Sequence, residues 1–117
     1  MPNPQYRAGN HYERRVANDL RRDGYLVWQT RGSKGVADLI AVKHGEVVLV
    51  QVKASVDATV THDGWNGLYE KAVEIMAVPL VADRDGRRIR YRRVTGLHRK
   101  GSRVWPSEPW TADVVAS

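Results

Sequence analysis

Three polar side chains near the ends of two short apolar segments could do chemistry together: Asp38, Gln51 and Lys53, all between Gly35 and Ala54. A carboxylate and an amide supply oxygen atoms that suit a hard divalent cation, and an ammonium group donates hydrogen bonds to water or to an anion. Burying such groups without partners costs roughly 2 to 7 kcal/mol for the amide and more for a charge. A metal ion with its water ligands would compensate them.

The spacing predicts that these side chains meet, because the two segments form a hairpin joined by His44 and Gly45. Gly45 suits a tight turn, and the flanking residues are β-branched or aliphatic. With this two-residue loop Asp38 lies directly opposite Gln51, with Cβ atoms about 4.5 to 5.5 Å apart, and Lys53 points to the same face. The second strand is apolar on both faces apart from its glutamine, which indicates a strand covered on both sides.

A helix is predicted from Ala8 to Asp23, ending at Gly24. At about 100° per residue its apolar side chains share one arc, and Glu13 falls inside that arc. A carboxylate there breaks a local rule, and such breaks concentrate at functional sites. The alternative is that Glu13 lies at the ragged edge of the helix face or pairs with a nearby arginine.

The other predicted elements are a strand over Tyr25–Thr30, a helix over Trp65–Ala77 and a second hairpin turning at Asp85-Gly86. The apolar stripe of the second helix fits either the core or a subunit interface. A loose arm is expected over about residues 1–7 and an irregular tail over about residues 95–117. The two tryptophans of that tail either cover the core or stack on bases.

Arginines alternate along the last predicted strand, where Arg88, Arg90 and Arg92 share one face. They form either a phosphate-binding row or a solvated edge that discourages strand pairing. The four histidines show no metal-ligand spacing and are expected on the surface; His11 and His62 are the two that could touch the site or DNA.

The composition favours a polyanionic partner such as nucleic acid, because the net charge is +6 and the sequence pI is near 10.0. The alternative source of this charge is GC-rich coding, since fourteen of the nineteen basic residues are arginine. Cysteine is absent, which excludes disulfides and thiolate metal sites. No apolar run is long enough to span a membrane, and residues 1–10 lack the apolar core of a signal peptide, so a soluble, intracellular (cytoplasmic) protein is expected. The length of 117 residues indicates one domain.

The element order of helix, strand, hairpin, helix and hairpin predicts an α/β fold with a central mixed sheet and a helix on each side. Glu13 on the first helix would converge with Asp38, Gln51 and Lys53 at one end of that sheet. An oxygen-only ligand set of this kind points to Mg²⁺ or Mn²⁺ over Zn²⁺.

The order of an aspartate, a gap and (D/E/Q)-x-K at the end of an apolar strand resembles the PD-(D/E)XK nuclease superfamily. More narrowly, five motifs from about Tyr6 to Ala54 resemble the archaeal-type Holliday junction resolvases: Arg7-x-Gly9-x-x-x-Glu13, Gly24-Tyr25-x-Val27, Arg31-Gly32-Ser33, Asp38-Leu39 and Val50-Gln51-Val52-Lys53. The resemblance implies a restriction-endonuclease-like αβββαβ core in a single nuclease domain over residues 1–117.

The resemblance also implies a homodimer that binds four-way DNA junctions and cuts two strands of like polarity by phosphodiester hydrolysis, using Mg²⁺, for which Mn²⁺ can substitute. Carried over by position, Glu13, Asp38, Gln51 and the backbone carbonyl of Val52 would surround the metal. Lys53 would orient or activate the attacking water, or stabilise the phosphate as it reacts.

Four further residues match the part of the family that meets the DNA backbone near the cleaved bond. Arg7 belongs to the basic N-terminus, and Arg31, Ser33 and Lys34 belong to the glycine-serine loop. These side chains are expected to bind DNA.

Two departures from the family pattern are expected to matter. Gln51 stands where the family has glutamate, and Ala37 stands where the superfamily has proline before the metal-binding aspartate. One negative charge fewer should weaken Mg²⁺ binding, since hard cations respond to ligand charge. The alternative functions are therefore a nuclease of the same fold acting on other branched or duplex DNA, in repair or defence, and a DNA-binding module whose catalysis has lapsed.

Overall fold

The computed structural model describes residues 4–30, 36–53 and 60–112, with side chains in the first range from residue 11 onward. Its elements in chain order are α1 (Pro4–Arg22), β1 (Leu26–Gln29), β2 (Leu39–Lys43), β3 (Glu46–Val52), α2 (His62–Ile75), β4 (Val78–Asp85), β5 (Arg88–Val94) and β6 (Ser107–Pro109). The strands form one sheet in sequence order, antiparallel throughout except for the parallel pair β3 and β4. The predicted α/β fold, a mixed sheet flanked by helices, is confirmed.

The β2–β3 hairpin has the predicted register. Its loop consists of His44 and Gly45, which both have positive φ, 51° and 80°. Two positive φ angles are typical of the tight turns whose twist matches that of the flanking strands. A Cβ at Gly45 would meet no atom within 4 Å, so its backbone angle, and not crowding, favours glycine there. The ladder runs from the turn as far as Leu39 paired with Val50, so the predicted pair of Asp38 and Gln51 lies one residue beyond its last pair.

Each face of the sheet carries its own core. Along β3 the side chains alternate, so that Val48 and Val50 pack towards α1 whereas Leu49 packs towards α2. The α1 side also buries Val16, Ala17 and Leu20, and the α2 side buries Trp65, Leu68 and Ala72. By the same alternation, Gln51 and Lys53 belong to the face that α2 covers.

Two boundary predictions are wrong. The loose arm expected over residues 1–7 does not extend to residues 4–7, because α1 begins at Pro4. Proline suits the first helical turn, since its missing N–H would have no partner within the helix. The irregular tail expected from residue 95 contains β6, which pairs with β5 and satisfies backbone groups at that edge of the sheet. Residues 1–3 lie outside the described part of the chain.

The second hairpin also differs from its prediction by one residue. Asp85 pairs with Arg88, so the loop consists of Gly86 and Arg87 and not of Asp85 and Gly86. Gly86 has φ 62°, the left-handed conformation that this turn requires.

The apolar stripe of α2 is only partly buried. Trp65 and Leu68 lie in the core, but Val73, Ile75 and Met76 are exposed by 59%, 47% and 92%. α2 begins at His62, three residues earlier than predicted, with the Thr61 hydroxyl accepting from the Gly64 N–H. The apolar face of α2 is therefore covered at Trp65, Leu68 and Ala72, whereas the side chains at its C-terminal end stay exposed. Neither helix is long and apolar enough to cross a bilayer, within the described part of the chain.

The C-terminal tryptophans cover the core, as one of the two interpretations predicted. Trp110 packs against Tyr91 with ring centroids 5.5 Å apart. Trp105 packs edge-to-face on Trp65 at 5.2 Å and stacks on the ring of His98 at 3.5 Å. Both rings therefore pack the C-terminal tail against the sheet and α2.

The prediction that all four histidines lie on the surface is wrong for His98, which is 5% exposed. Its Nδ1 lies 2.8 Å from Nδ1 of His62, and its Nε2 lies 2.8 Å from the carbonyl oxygen of Ser102. Its backbone N–H donates to Asn66 Oδ1 at 2.7 Å. Burial is tolerated because these partners satisfy the polar atoms of the residue.

Candidate active site

Asp38 is held at the point where the β2–β3 ladder ends. Its backbone N–H donates to the Val50 carbonyl at 2.8 Å, and its carboxylate Oδ2 accepts the Val52 N–H at 2.8 Å. Its own carbonyl accepts the Thr30 N–H at 2.9 Å. The main chain and the side chain of Asp38 are therefore both fixed by backbone groups of neighbouring strands, which restricts the carboxylate to one place at the sheet end.

Thr30 is a site residue that sequence analysis assigned to a strand end without giving it a role. Besides its N–H bond to Asp38, its hydroxyl donates to the Ala37 carbonyl at 2.6 Å. The two bonds anchor the segment immediately before β2. A hydroxyl residue at the end of a strand beside a glycine-rich loop is the only sequence signal of this role.

Glu13 of α1 reaches the same end of the sheet. It is half-buried, and its pKa is raised above the usual 4.5, first by burial and then by the negative charge of Asp38. A hydrogen bond from the Gln29 side chain opposes that rise. Neither carboxylate forms an ion pair with a described residue. The structure places Glu13 near Asp38, as the functional interpretation predicts, and among the described residues no arginine forms an ion pair with it.

Gln51 lies on β3, Lys53 directly follows its last residue, Val52, and both are half-buried. Gln51 pairs with Val81 of β4, and the Lys53 N–H donates to the Ala82 carbonyl at 2.8 Å. Their side chains approach the sheet end from the α2 side, whereas Glu13 approaches from the α1 side. Asp38, on the Val52 N–H, lies between them. The structure thus brings the four predicted catalytic residues to one end of the sheet, and their roles remain predictions.

The four residues expected to bind DNA lie outside the described parts of the chain. The backbone of Arg7 belongs to α1, but its side chain is not among those described. Arg31, Ser33 and Lys34 lie in the range 31–35, between the described segments. Their predicted contacts remain predictions.

The donor atoms fit a hard divalent cation. Among the described residues no group of three or more His, Cys, Asp or Glu side chains could hold a metal ion. The candidate set instead combines two carboxylates, Glu13 and Asp38, with the amide oxygen of Gln51 and the carbonyl of Val52. All are oxygen ligands, which Mg²⁺ and Mn²⁺ prefer. Glu13 and Asp38 are two half-buried like charges with no ion-pair partner in the described segments, and a bound cation would stabilise such a pair.

Comparisons with known proteins identify a family and a shared fold. The sequence profile of a family described as archaeal Holliday junction resolvase (Hjc) matches residues 4–108. A protein named crossover junction endodeoxyribonuclease Hjc, from Methanocaldococcus jannaschii, is 43% identical over 51 residues, which cover 44% of this chain and 38% of that protein. The chain therefore spans well under half the length of that relative.

The fold has a solved counterpart. The structure of Archaeoglobus fulgidus Hjc, described as a Holliday junction resolvase from an archaeal hyperthermophile, superposes with a TM-score of 0.62 at 20% identity. The match covers 71% of this chain and 70% of that chain. At this identity the likeness shows a shared fold.

Proposed function

This chain belongs to the archaeal Holliday junction resolvase family, and from that membership we propose that it is a Mg²⁺-dependent endonuclease that cuts four-way DNA junctions by phosphodiester hydrolysis. The observation that carries the proposal is the placement of Asp38 on the Val52 N–H beside Glu13. A DNA-binding module would have no use for two like charges held together at a half-buried site, because their repulsion costs stability.

The site residues divide between metal binding and hydrogen bonding in the proposed reaction. Glu13, Asp38, Gln51 and the carbonyl of Val52 would hold Mg²⁺. When bound, the ion neutralises charge on the phosphate and makes a water nucleophilic near neutral pH. Lys53 would donate hydrogen bonds to that water or to a phosphate oxygen, since an ammonium group has three donors and no acceptor. Val52 keeps Asp38 oriented through its N–H.

The raised pKa of Glu13 gives the proposed activity a pH dependence. A proton on Glu13 competes with the metal for the same oxygens, so binding of Mg²⁺ should weaken as the pH falls through that raised pKa. The cause is local, since burial and Asp38 together disfavour the ionised form.

The homodimer is likewise a proposal, supported by the exposed end of α2. Val73 and Met76 are exposed there, and an open cavity of about 440 Å³ lies alongside, lined in part by Tyr69, Val73 and Pro79. A two-fold symmetric pair would present two equivalent sites to a junction, as paired cuts require. A DNA substrate would place the protein inside the cell.

Cleavage assays on defined DNA test the function. The protein is incubated with Mg²⁺ and a labelled mobile four-way junction, beside linear duplex and flap DNA of matched sequence, with Asp38→Asn as the inactive control. Paired symmetric nicks in the junction alone are expected. Equal cleavage of every substrate would point to a broader nuclease of this fold.

Tight binding without cutting would indicate the lapsed module. The observation that favours this second candidate is Gln51, which carries no negative charge where the family has glutamate. Restoring the charge with Gln51→Glu and repeating the assay separates a weakened metal site, which would regain activity, from a site that performs no chemistry.

A further inference from the structure

The β4–β5 hairpin extends from the same end of the sheet as the candidate active site. β3 and β4 are parallel, and Val52 pairs with Ala82. β4 continues beyond that pair to Asp85, and β5 returns from Arg88. At about 3.3 Å per residue, the three residues past Ala82 carry the hairpin roughly 10 Å beyond Val52.

The arginines of β5 lie on the face that carries Gln51 and Lys53. Val94 packs in the core on the α2 side, and alternation places Arg92, Arg90 and Arg88 on that same side. The register joins Gln51 to Val81 and Val81 to Arg92, so two strand spacings, about 10 Å, separate the backbones of Gln51 and Arg92.

One arginine of the row is already paired. Arg90 makes two hydrogen bonds to the Asp83 carboxylate, from Nε at 2.8 Å and from Nη2 at 2.7 Å. This fork geometry orders both side chains. Arg88 and Arg92 form no ion pair with a described residue, although Asp85 lies opposite Arg88.

α1 holds the hairpin in position. The Tyr12 hydroxyl donates to the Asp83 carbonyl at 3.0 Å, and the Arg15 guanidinium donates to the Arg87 carbonyl in the turn. The guanidinium of Arg84 lies over the Tyr12 ring at 5.8 Å. The hairpin is thus tied at its base and at its tip to the helix that carries Glu13.

We propose that Arg88 and Arg92 bind phosphates of the DNA strand that enters the active site, with the Asp83–Arg90 pair ordering the row between them. The inference rests on the proposed function and assigns a part of its substrate surface. The alternative role, an edge that discourages strand pairing, does not suit Arg92, because β6 pairs with β5 from Arg92 onward.

The test is the salt dependence of junction binding, measured in the Asp38→Asn background so that no cutting occurs. Replacing both Arg88 and Arg92 with glutamine should weaken binding and lower the slope of log K against log[salt] by about 1.8, at roughly 0.9 per lost phosphate contact. Replacing both with lysine keeps the charges and should keep the slope.

The matched control is Arg22→Gln. Arg22 is an exposed arginine at the C-terminal end of α1. Its neighbour Asp23 accepts a hydrogen bond from Lys43 near the β2–β3 turn, which places Arg22 away from the site. Arg22→Gln should leave the junction affinity and the slope of log K against log[salt] unchanged. Urea unfolding of each variant checks that the fold is intact.

A glutamine double variant with the slope and affinity of the control would overturn the inference while the parent protein still bound and cut junctions. Absence of DNA binding by the parent protein would overturn the proposed function together with it.

Discussion

Asp38 has two separable tasks, and comparing two substitutions measures each. Asp38→Asn and Asp38→Ala both remove the negative charge and its repulsion of Glu13. Only asparagine keeps an acceptor for the Val52 N–H, which Asp38 now binds at 2.8 Å. Val52 is 8% exposed, so alanine leaves a buried donor without a partner, at a cost of about 1 to 3 kcal/mol. The alanine variant should be less stable than the asparagine variant by that amount.

Urea unfolding, monitored by the fluorescence of the four tryptophans, measures the difference in stability between the two variants. The same titration with Mg²⁺ reports metal binding. At a concentration of 100 Kd the ion should stabilise the wild-type protein by about 2.7 kcal/mol. Neither variant should gain comparably, because both lack the Asp38 carboxylate.

Two results would refute this reasoning. Equal stability of the alanine and asparagine variants would mean that the bond to Val52 does not contribute to the fold. An undiminished gain from Mg²⁺ in both variants would remove Asp38 from the ligand set.

Three other substitutions follow from the same geometry. Because the pKa of Glu13 is raised, the metal-free protein should lose stability as the pH rises from about 4.5 through that raised pKa. Urea unfolding at a series of pH values should show that Glu13→Gln removes this loss. An unchanged pH profile in the variant would contradict the prediction. Gln51→Glu should tighten Mg²⁺ binding by calorimetry, and an unaltered affinity would exclude Gln51 as a ligand. Tyr91→Phe should lower the free energy of unfolding by about 1 to 3 kcal/mol, because the Tyr91 hydroxyl donates to the Asp19 carboxylate at 2.7 Å. A decrease below about 0.5 kcal/mol in urea unfolding would show that water replaces this hydrogen bond.

Much of the site was predictable because its order is local. The two-residue turn at His44 and Gly45 sets the strand register, and a period of two then decides which side chains share a face. Asp38, Gln51 and Lys53 could therefore be brought to one sheet end from spacing alone. The resemblance to the family came separately, from five motifs that occur in one order between about Tyr6 and Ala54.

Other features depended on contacts between residues far apart in the chain. The burial of His98 with His62, the pairing of β6 with β5 and the exposed last turn of α2 all follow from which surfaces meet in the fold. Apolar periodicity indicates that a face can be buried, but the neighbouring elements decide whether it is.

The sequence by itself determined the first five strands, the register of the β2–β3 hairpin and the residue types at the site, because these follow from the backbone angles and alternation of adjacent residues. Only the tertiary structure decided between the interpretations of Glu13, and only it showed that Thr30 anchors the strand entry and that Asp83 pairs with Arg90. Those contacts depend on how α1 crosses the sheet and how distant strands align. That arrangement is set by the packing of all the core residues together and not by any one local segment.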